Sequence, residues 1–372
     1  MCIRDSSNNI GPNGMVGGQI IDINSKENQL SIDEVNIMHN LKTANLFSFS
    51  CQSGAMIGKA NGKEIDAFKN YGRNFGIVFQ IIDDVLDKVG DPKNIGKTLG
   101  KDEINKLLEI AKQAAERGGA SLMNNYGRIK TIKCKGTAGD LVTNADIECE
   151  KIIIEYLEKE TPYISILAEE SGYKSKDGEL KWCIDPLDGT TNYAHGYPFF
   201  ATSIGLIWNS NPILGAISVP SLNEIYYASP EHGSYCNGDK INVTNTNSLS
   251  DSLLVTGFAY DRREVLDNNY SEFCWLTHLT HGVRRGGAAA VDLAFVASGK
   301  VDGFWERGLA KWDMAAGVPL VEMAGGIVSN YPSGDFDLNT GRILACNPEI
   351  QNELIKELGK IRPLTPNSYG GK

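Results

Sequence analysis

No two of the eight cysteines, at positions 2, 51, 134, 149, 183, 236, 274 and 346, form a Cys-x-x-Cys pair, and no zinc-ligand spacing occurs. Scattered thiols of this kind read as reduced, small core residues of a cytoplasmic protein rather than a disulfide framework. No apolar run approaches the ~20 residues that a membrane helix needs. The opening Met1 to Ser6, MCIRDS, lacks the apolar stretch of a signal peptide. There is no internal repeat, no low-complexity tract, and no Ser-His-Asp or Cys-His signature that would point to a protein nucleophile. Positive charge is in deficit: 36 Lys and Arg against 46 Asp and Glu give a formal net charge of -10. That argues against nucleic acid or an anionic membrane as partner, and leaves acidic residues free to serve cation sites.

What is present is an ordinary globular composition, 41% apolar and 22% charged over 372 residues, enough for two or three domains. Two styles of sequence meet near residue 102. Before it, apolar residues recur at helical spacing from Ile32 to Ile57 and from Glu64 to Leu86, parted by Gly58 to Lys63. After it, Leu107, Leu108, Ala111, Ala115 and Leu122 mark one amphipathic helix, and Thr143 with Asp146 has the spacing of a capping box that starts another. Strands are predicted at Ile164–Ala168, Trp182–Ile184, Ala201–Trp208, Pro212–Val219 and Glu224–Ala228, the later ones spaced for an antiparallel meander. Helices follow at Ala288–Ser298 and Asp313–Ala324, with strands near Val301–Trp305, Ile327–Ser329 and Ile343–Cys346. The mixture predicts a layered α/β protein. The organisation expected is a helical fragment over 1–102, an α/β domain over 103–358 and a loose tail over 359–372.

Three acidic stations stand out in the α/β part. Glu169 and Glu170 follow one apolar strand, Asp185 and Asp188 follow another in IDPLDGTT, and Asp313 opens a predicted helix in KWDMAAG. Strand ends of layered α/β folds open into crevices where side chains converge. Converging carboxylates repel unless protonated or bridged by a cation, and an all-oxygen set suits magnesium or manganese. Pro186 stiffens the link between the aspartates, and the Leu187 carbonyl is a further candidate oxygen ligand. Gly189 to Asn192 then reads as a helix start, whose amides, with the Thr190 hydroxyl, would receive a phosphate. His195 nearby reads as a surface or packing residue.

These stations, with GDLVTNAD (139–146), AEES (168–171), WCIDPLDGTTNYAHG (182–196), RRGGAAAVDLA (284–294), WERG (305–308) and KWDMAAG (311–317), resemble the inositol monophosphatase family, bacterial type, over about residues 105–358. The resemblance implies an αβαβα sandwich that hydrolyses small phosphate monoesters, myo-inositol 1-phosphate first, using two or three Mg2+ ions. It implies that Glu169, Asp185, Leu187 (through its carbonyl), Asp188 and Asp313 bind metal. Gly189 and Thr190 would hold the phosphate; Glu169, Thr190 and Asp146 would position the attacking water; Gly287, Ala288, Ala289 and Glu306 would line the alcohol. A homodimer is implied as well. Many members have Gly where Ala168 stands, and Thr or Ser where Ala288 stands. The second departure removes a hydroxyl from the substrate side, which keeps fructose 1,6-bisphosphate and histidinol phosphate as alternative substrates. Adenosine bisphosphates are disfavoured, because no added segment for a base is visible.

The first hundred residues carry a different resemblance. Asp83 and Asp87 are four apart on a predicted helix, with Asp84 beside them. With GMVGGQ (14–19), LKTANLF (41–47), FQIIDDVLD (79–87) and GKTLGKD (96–102), they resemble the C-terminal half of an all-helical polyprenyl diphosphate synthase. The first aspartate-rich motif of that family is absent, so no prenyl transfer is expected. A half-bundle would expose apolar faces, so an artefactual join of a truncated product to its neighbour is expected in preference to a degenerate fusion.

Overall fold

In the computed structural model, which describes residues 7, 9–24, 31–89, 99–128, 131–134 and 141–364, the chain divides into two units, residues 1–99 and 100–372. The first is helical, with α1 (Met15–Asn24), α2 (Ile32–His39), α3 (Asn45–Ile57) and α4 (Gly62–Val89). Ser31 and Glu34 form a capping box that starts α2. A π-helical step over Asn40–Ala44 joins α2 to α3, so the predicted run from 32 to 57 is helical throughout. Gly76 lets α4 approach the π-helical step closely, since a Cβ there would fall 2.6 Å from Ala44 Cα. Thr43 Oγ1 donates to Gln80 Oε1 at 2.6 Å across the same contact. Phe68, Tyr71, Phe75, Val78 and Phe79 nonetheless leave an exposed apolar stripe along α4. The side chains of Asp83, Asp84 and Asp87 lie outside the described residues.

The second unit is the layered α/β protein that the alternation predicted. It opens with α5 (Lys101–Asn125), the short hairpin β1 (Ile132–Cys134) and β2 (Leu141–Thr143), and α6 (Asn144–Glu160). Leu107, Leu108, Ala111, Ala115 and Leu122, the predicted apolar face of α5, are all buried. The first sheet has eight strands: β3 (Ser165–Ala168), β4 (Gly172–Lys174), β5 (Leu180–Asp188), β6 (Ala201–Trp208), β7 (Asn211–Val219), β8 (Glu224–Ser229), β9 (Gly233–Cys236) and β10 (Asp239–Lys240). Their order is β10-β9-β8-β7-β6-β5-β3-β4, and the meander from β5 to β10 is antiparallel. Between β5 and β6 sits one further turn of helix, α7 (Thr190–Ala194). The second sheet, β12-β11-β13-β15-β14, combines β11 (Leu253–Thr256), β12 (Gly282–Arg284), β13 (Gly303–Arg307), β14 (Ile327–Ser329) and β15 (Arg342–Cys346). Its helices are α8 (Tyr270–Leu279), α9 (Ala289–Ala297), α10 (Lys311–Met314), α11 (Gly317–Met323) and α12 (Gln351–Leu358).

The period of two along β15 shows how the layers stack. Ile343 and Ala345 face the core shared with the first sheet, α9 and α11, whereas Leu344 and Cys346 face a second core with Leu276 of α8 and Leu354 of α12. Helices therefore lie between the sheets and outside both, the αβαβα order. The helix expected over Asp313–Ala324 is divided in two, and the cause is Pro319, which has no amide to donate to the carbonyl four residues back. The start of the expected tail is held at two points: Ile361 lies against the second core, and Ser271 Oγ donates to the Arg362 carbonyl at 2.8 Å.

Glycine on the sheet lets the Asp313 helix sit close. A Cβ on Gly205 would lie 2.6 Å from the Ala315 carbonyl carbon, and one on Gly215 would lie 2.5 Å from Ala316 Cα. Backbone meets backbone here, so Gly205→Ala is expected to overpack the layer and cost about 1–3 kcal/mol. A lowered thermal midpoint, accompanied by lost activity as Asp313 is displaced, checks this; an unchanged midpoint contradicts it.

Candidate active site

Asp185 and Asp188 lie inside the end of β5 rather than beyond it, and the pairing with β6 shifts register between them. Pro186 supplies no ladder donor, and its carbonyl accepts from Thr202 Oγ1 at 3.0 Å. The irregularity turns both carboxylates to one end of the sheet, where β3 also ends and delivers Glu169. Asp185 is 2% exposed and Asp188 8%. Each is fastened by a backbone amide: Leu187 N donates to Asp185 Oδ1 at 3.0 Å, and Ala290 N to Asp188 Oδ2 at 2.7 Å. The second bond places Asp188 at the start of α9, where the helix dipole favours an anion. Asp313 accepts from Ala310 N at 2.7 Å.

The electrostatics of these groups are those of like charges held together. Burial, then Glu169, Asp188 and Asp313, push the Asp185 carboxyl well above the usual range. Burial and Glu169 push Asp188 up to about 7 against the lowering effect of the Ala290, Ala289 and Val291 amides. Burial, then Asp188 and Glu169, raise Asp313 likewise. No lysine or arginine is among the strongest influences on these three. Among the described residues, no three His, Cys, Asp or Glu side chains already close around one point as a ligand shell. The acids approach as neighbours, with one oxygen of each aspartate turned onto an amide.

The sequence-predicted residues around them are brought together as well. Gly189 starts α7 with φ of 88°, and a Cβ there would lie 2.9 Å from the Phe199 carbonyl oxygen and 3.1 Å from Ala288 Cβ. The Gly189–Thr190 turn therefore abuts the Gly287–Ala288–Ala289 turn. Thr190 Oγ1 lies 3.1 Å from Asp146 Oδ1 and 3.0 Å from the Leu187 carbonyl oxygen, and its single proton serves one at a time. Asp146 is fully buried; its other oxygen accepts from Thr143 N at 2.8 Å and Thr143 Oγ1 at 2.6 Å, closing the predicted capping box. Burial raises its carboxyl, Glu169 adds to the rise, and the bonds from Thr143 and Thr190 oppose it. Glu306 is buried against the backbone of Gly257, where a Cβ would fall 2.2 Å from its carboxylate. His195 is exposed.

Two residues of the site escaped the sequence reading. Glu150 accepts from Glu170 N at 2.8 Å and Ser171 N at 2.9 Å, and so holds the loop that carries Glu169. Its signal was a spacing of four from Asp146 on one helix face. Asn192 donates to the carbonyls of Phe199 (2.7 Å) and Gly286 (3.0 Å), tying the two turns together. Glu150→Ala leaves two loop amides without their acceptor and is expected to cost about 1–3 kcal/mol. Thermal denaturation and activity measured together should both fall; a drop in neither would remove Glu150 from this role.

Burial pushes the Glu306 carboxyl up to about 8, with Asp188 adding to the rise and Arg285 and Arg307 opposing it. Its folded pKa exceeds the unfolded value of 4.5, so its contribution to stability is complete below that pH and is lost as pH rises through about 8. The metal-free thermal midpoint is accordingly expected to fall between these pH values, and Glu306→Gln to flatten the fall. An equal slope in both proteins would contradict the assignment.

Fold and site together define a double-sheet αβαβα protein built around a buried carboxylate cluster, the architecture of a small-molecule phosphatase. Residues 103–362 match the model of the inositol monophosphatase family. An inositol-1-monophosphatase of Synechocystis sp. is 51% identical over 257 residues, 69% of this chain and 90% of that protein. A solved inositol monophosphatase from Anabaena is 48% identical with a TM-score of 0.64, over 70% of this chain and 98% of that one. The Nus factor SuhB of Pseudomonas aeruginosa is 39% identical over 268 residues, 70% of this chain and 98% of that protein. The chain belongs to the inositol monophosphatase family and is a phosphatase by that membership. Residues 11–133 also match the polyprenyl synthetase family model, overlapping the phosphatase match over 103–133. In the overlap, α5 packs on the phosphatase sheet: a Cβ on Gly118 would meet Thr202 Cγ2 at 2.6 Å.

Proposed function

We propose that the protein releases phosphate from myo-inositol 1-phosphate with magnesium as its cofactor, and that residues 103–358 carry the activity. The observation that carries this reading is the convergence of the buried Asp185 and Asp188 with the half-buried Glu169 and Asp313, whose mutual repulsion calls for a cation. The donor set is entirely oxygen, which fits a hard ion of magnesium's kind. Glu169, Asp185, the Leu187 carbonyl, Asp188 and Asp313 would hold two or three such ions. When bound, magnesium supplies positive charge against the phosphate and leaving oxygens and acidifies a water enough to attack at neutral pH.

The chain's own residues do the positioning. Thr190, oriented by its bond to Asp146, presents a hydroxyl lone pair to the attacking water, and Glu169 holds that water from the other side. The amides at the start of α7, with Gly189 free of a side chain, receive phosphate oxygens. Gly287, Ala288 and Ala289 border the leaving alcohol, and Glu306 accepts hydrogen bonds from its hydroxyls. Family resemblance extends the proposal to a homodimer, and the scattered free thiols fit the cytoplasm.

Phosphate release from myo-inositol 1-phosphate, fructose 1,6-bisphosphate and histidinol phosphate, compared in magnesium, tests the substrate. The highest kcat/KM is expected on the first. A clear preference for either of the others, or prenyl product formation without phosphatase activity, would overturn the reading.

A further inference from the structure

One acid in the middle of the fold belongs to none of the assignments above. Asp292 interrupts the otherwise apolar α9, AAVDLAFVA, and is 1% exposed. Neither of its carboxylate oxygens has a hydrogen-bond partner among the described residues. Leaving a buried carboxylate unpartnered is costly, so a residue in this position is expected to act on something close by. Its surroundings are the alcohol side of the site. A Cβ placed on Gly286 would fall 2.2 Å from Asp292 Oδ1, so the carboxylate lies directly against the turn that leads to Gly287. Burial, then Glu306 and Asp188, push its carboxyl well above the usual range, and Arg285 opposes them. Arg285 is exposed, and its guanidinium lies over the same turn: a Cβ on Gly287 would fall 2.0 Å from Arg285 Nη1. The same arginine acts on Glu306. On its far side, the turn is pinned by Asn192.

Building on the reading of residues 287–289 and Glu306 as the alcohol side, we propose that Asp292 is a positioning residue that draws the Arg285 guanidinium over the Gly287 turn, opposite Glu306, so that the two present a paired donor and acceptor to neighbouring hydroxyls of a polyol leaving group. Arg285 is then a specificity determinant. It supplies from a side chain the hydroxyl contact that Ala288 lacks. A planar guanidinium beside a carboxylate matches a polyol in which adjacent oxygens donate and accept. The conservative variant Asp292→Asn keeps the shape and replaces a carboxyl oxygen that attracts Arg285 with an NH2 that repels it; Arg285→Gln sits at the surface and leaves the core intact.

The test is a double-mutant cycle of Asp292→Asn and Arg285→Gln, read on myo-inositol 1-phosphate and on para-nitrophenyl phosphate. Each single variant is expected to raise KM on the polyol substrate about tenfold, with kcat falling much less. The double variant should be no worse than Arg285→Gln alone, and the KM change on the nitrophenyl ester should be at most a third as large. Additive effects, a loss carried by kcat, or equal losses on both substrates would overturn the proposal. Should wild-type protein hydrolyse the nitrophenyl ester and not the inositol ester, the substrate reading fails by itself. The cycle is then read on fructose 1,6-bisphosphate, under the same criteria.

Discussion

Asp185→Asn is expected to lower phosphate release by roughly a thousandfold or more, because the carboxylate sits where the compensating positive charge must be held. The substitution separates fold from function. Leu187 N donates to Asp185 Oδ1, and the asparagine side-chain oxygen can accept the same bond. One of the four clustered acids is replaced by a neutral group, which removes the repulsion of Asp185 by Glu169, Asp188 and Asp313. The metal-free variant should therefore melt at or above the wild-type temperature while its activity is gone. A variant that is inactive and also less stable would mean that Asp185 serves the fold. One that stays active would place the metal elsewhere.

Asp146→Asn is the second large effect, with kcat expected to fall about a hundredfold while KM changes little. Asp146 touches the site only through Thr190, by the 3.1 Å bond to its hydroxyl, and is otherwise held by Thr143. An amide in its place can turn its NH2 toward Thr190, reversing that bond and turning the hydroxyl proton toward the space that the attacking water needs. Thr190→Val should give a comparable loss, and combining the two should add little, since both act through one hydroxyl. Steady-state kinetics of the two single variants and the double decide this; multiplicative losses would show that Asp146 acts by another route.

Much of the fold was legible because its elements obey simple periods. The β6 strand runs from Ala201 to Trp208 as the largely apolar run predicts, and the capping box at Thr143 and Asp146 starts a helix as its spacing says. The acidic stations were legible because each stands at the end of an apolar strand or at the start of a helix. What was hidden depends on contacts distant in sequence. The strand carrying Asp185 and Asp188 extends to Asp188 because β6 pairs along it, despite the proline. Strands β11 and β12 are four and three residues long and are strands by parallel pairing, β12 with β11 and β11 also with β13. The Asp313 helix comes close to the sheet through glycines more than a hundred residues away. Asn192 acts on backbone atoms, which carry no mark in a sequence. In the first unit the structure shows an exposed apolar stripe on α4.

The central claim is that the carboxylate cluster is a magnesium site for phosphate ester hydrolysis. Its most direct test is phosphate release from myo-inositol 1-phosphate by the full chain, first stripped of metal and then titrated with magnesium. The account predicts no turnover in the stripped protein and saturable recovery with added magnesium, absent from Asp185→Asn. Turnover that persists at full rate after stripping, or magnesium activation that survives the substitution, would contradict it.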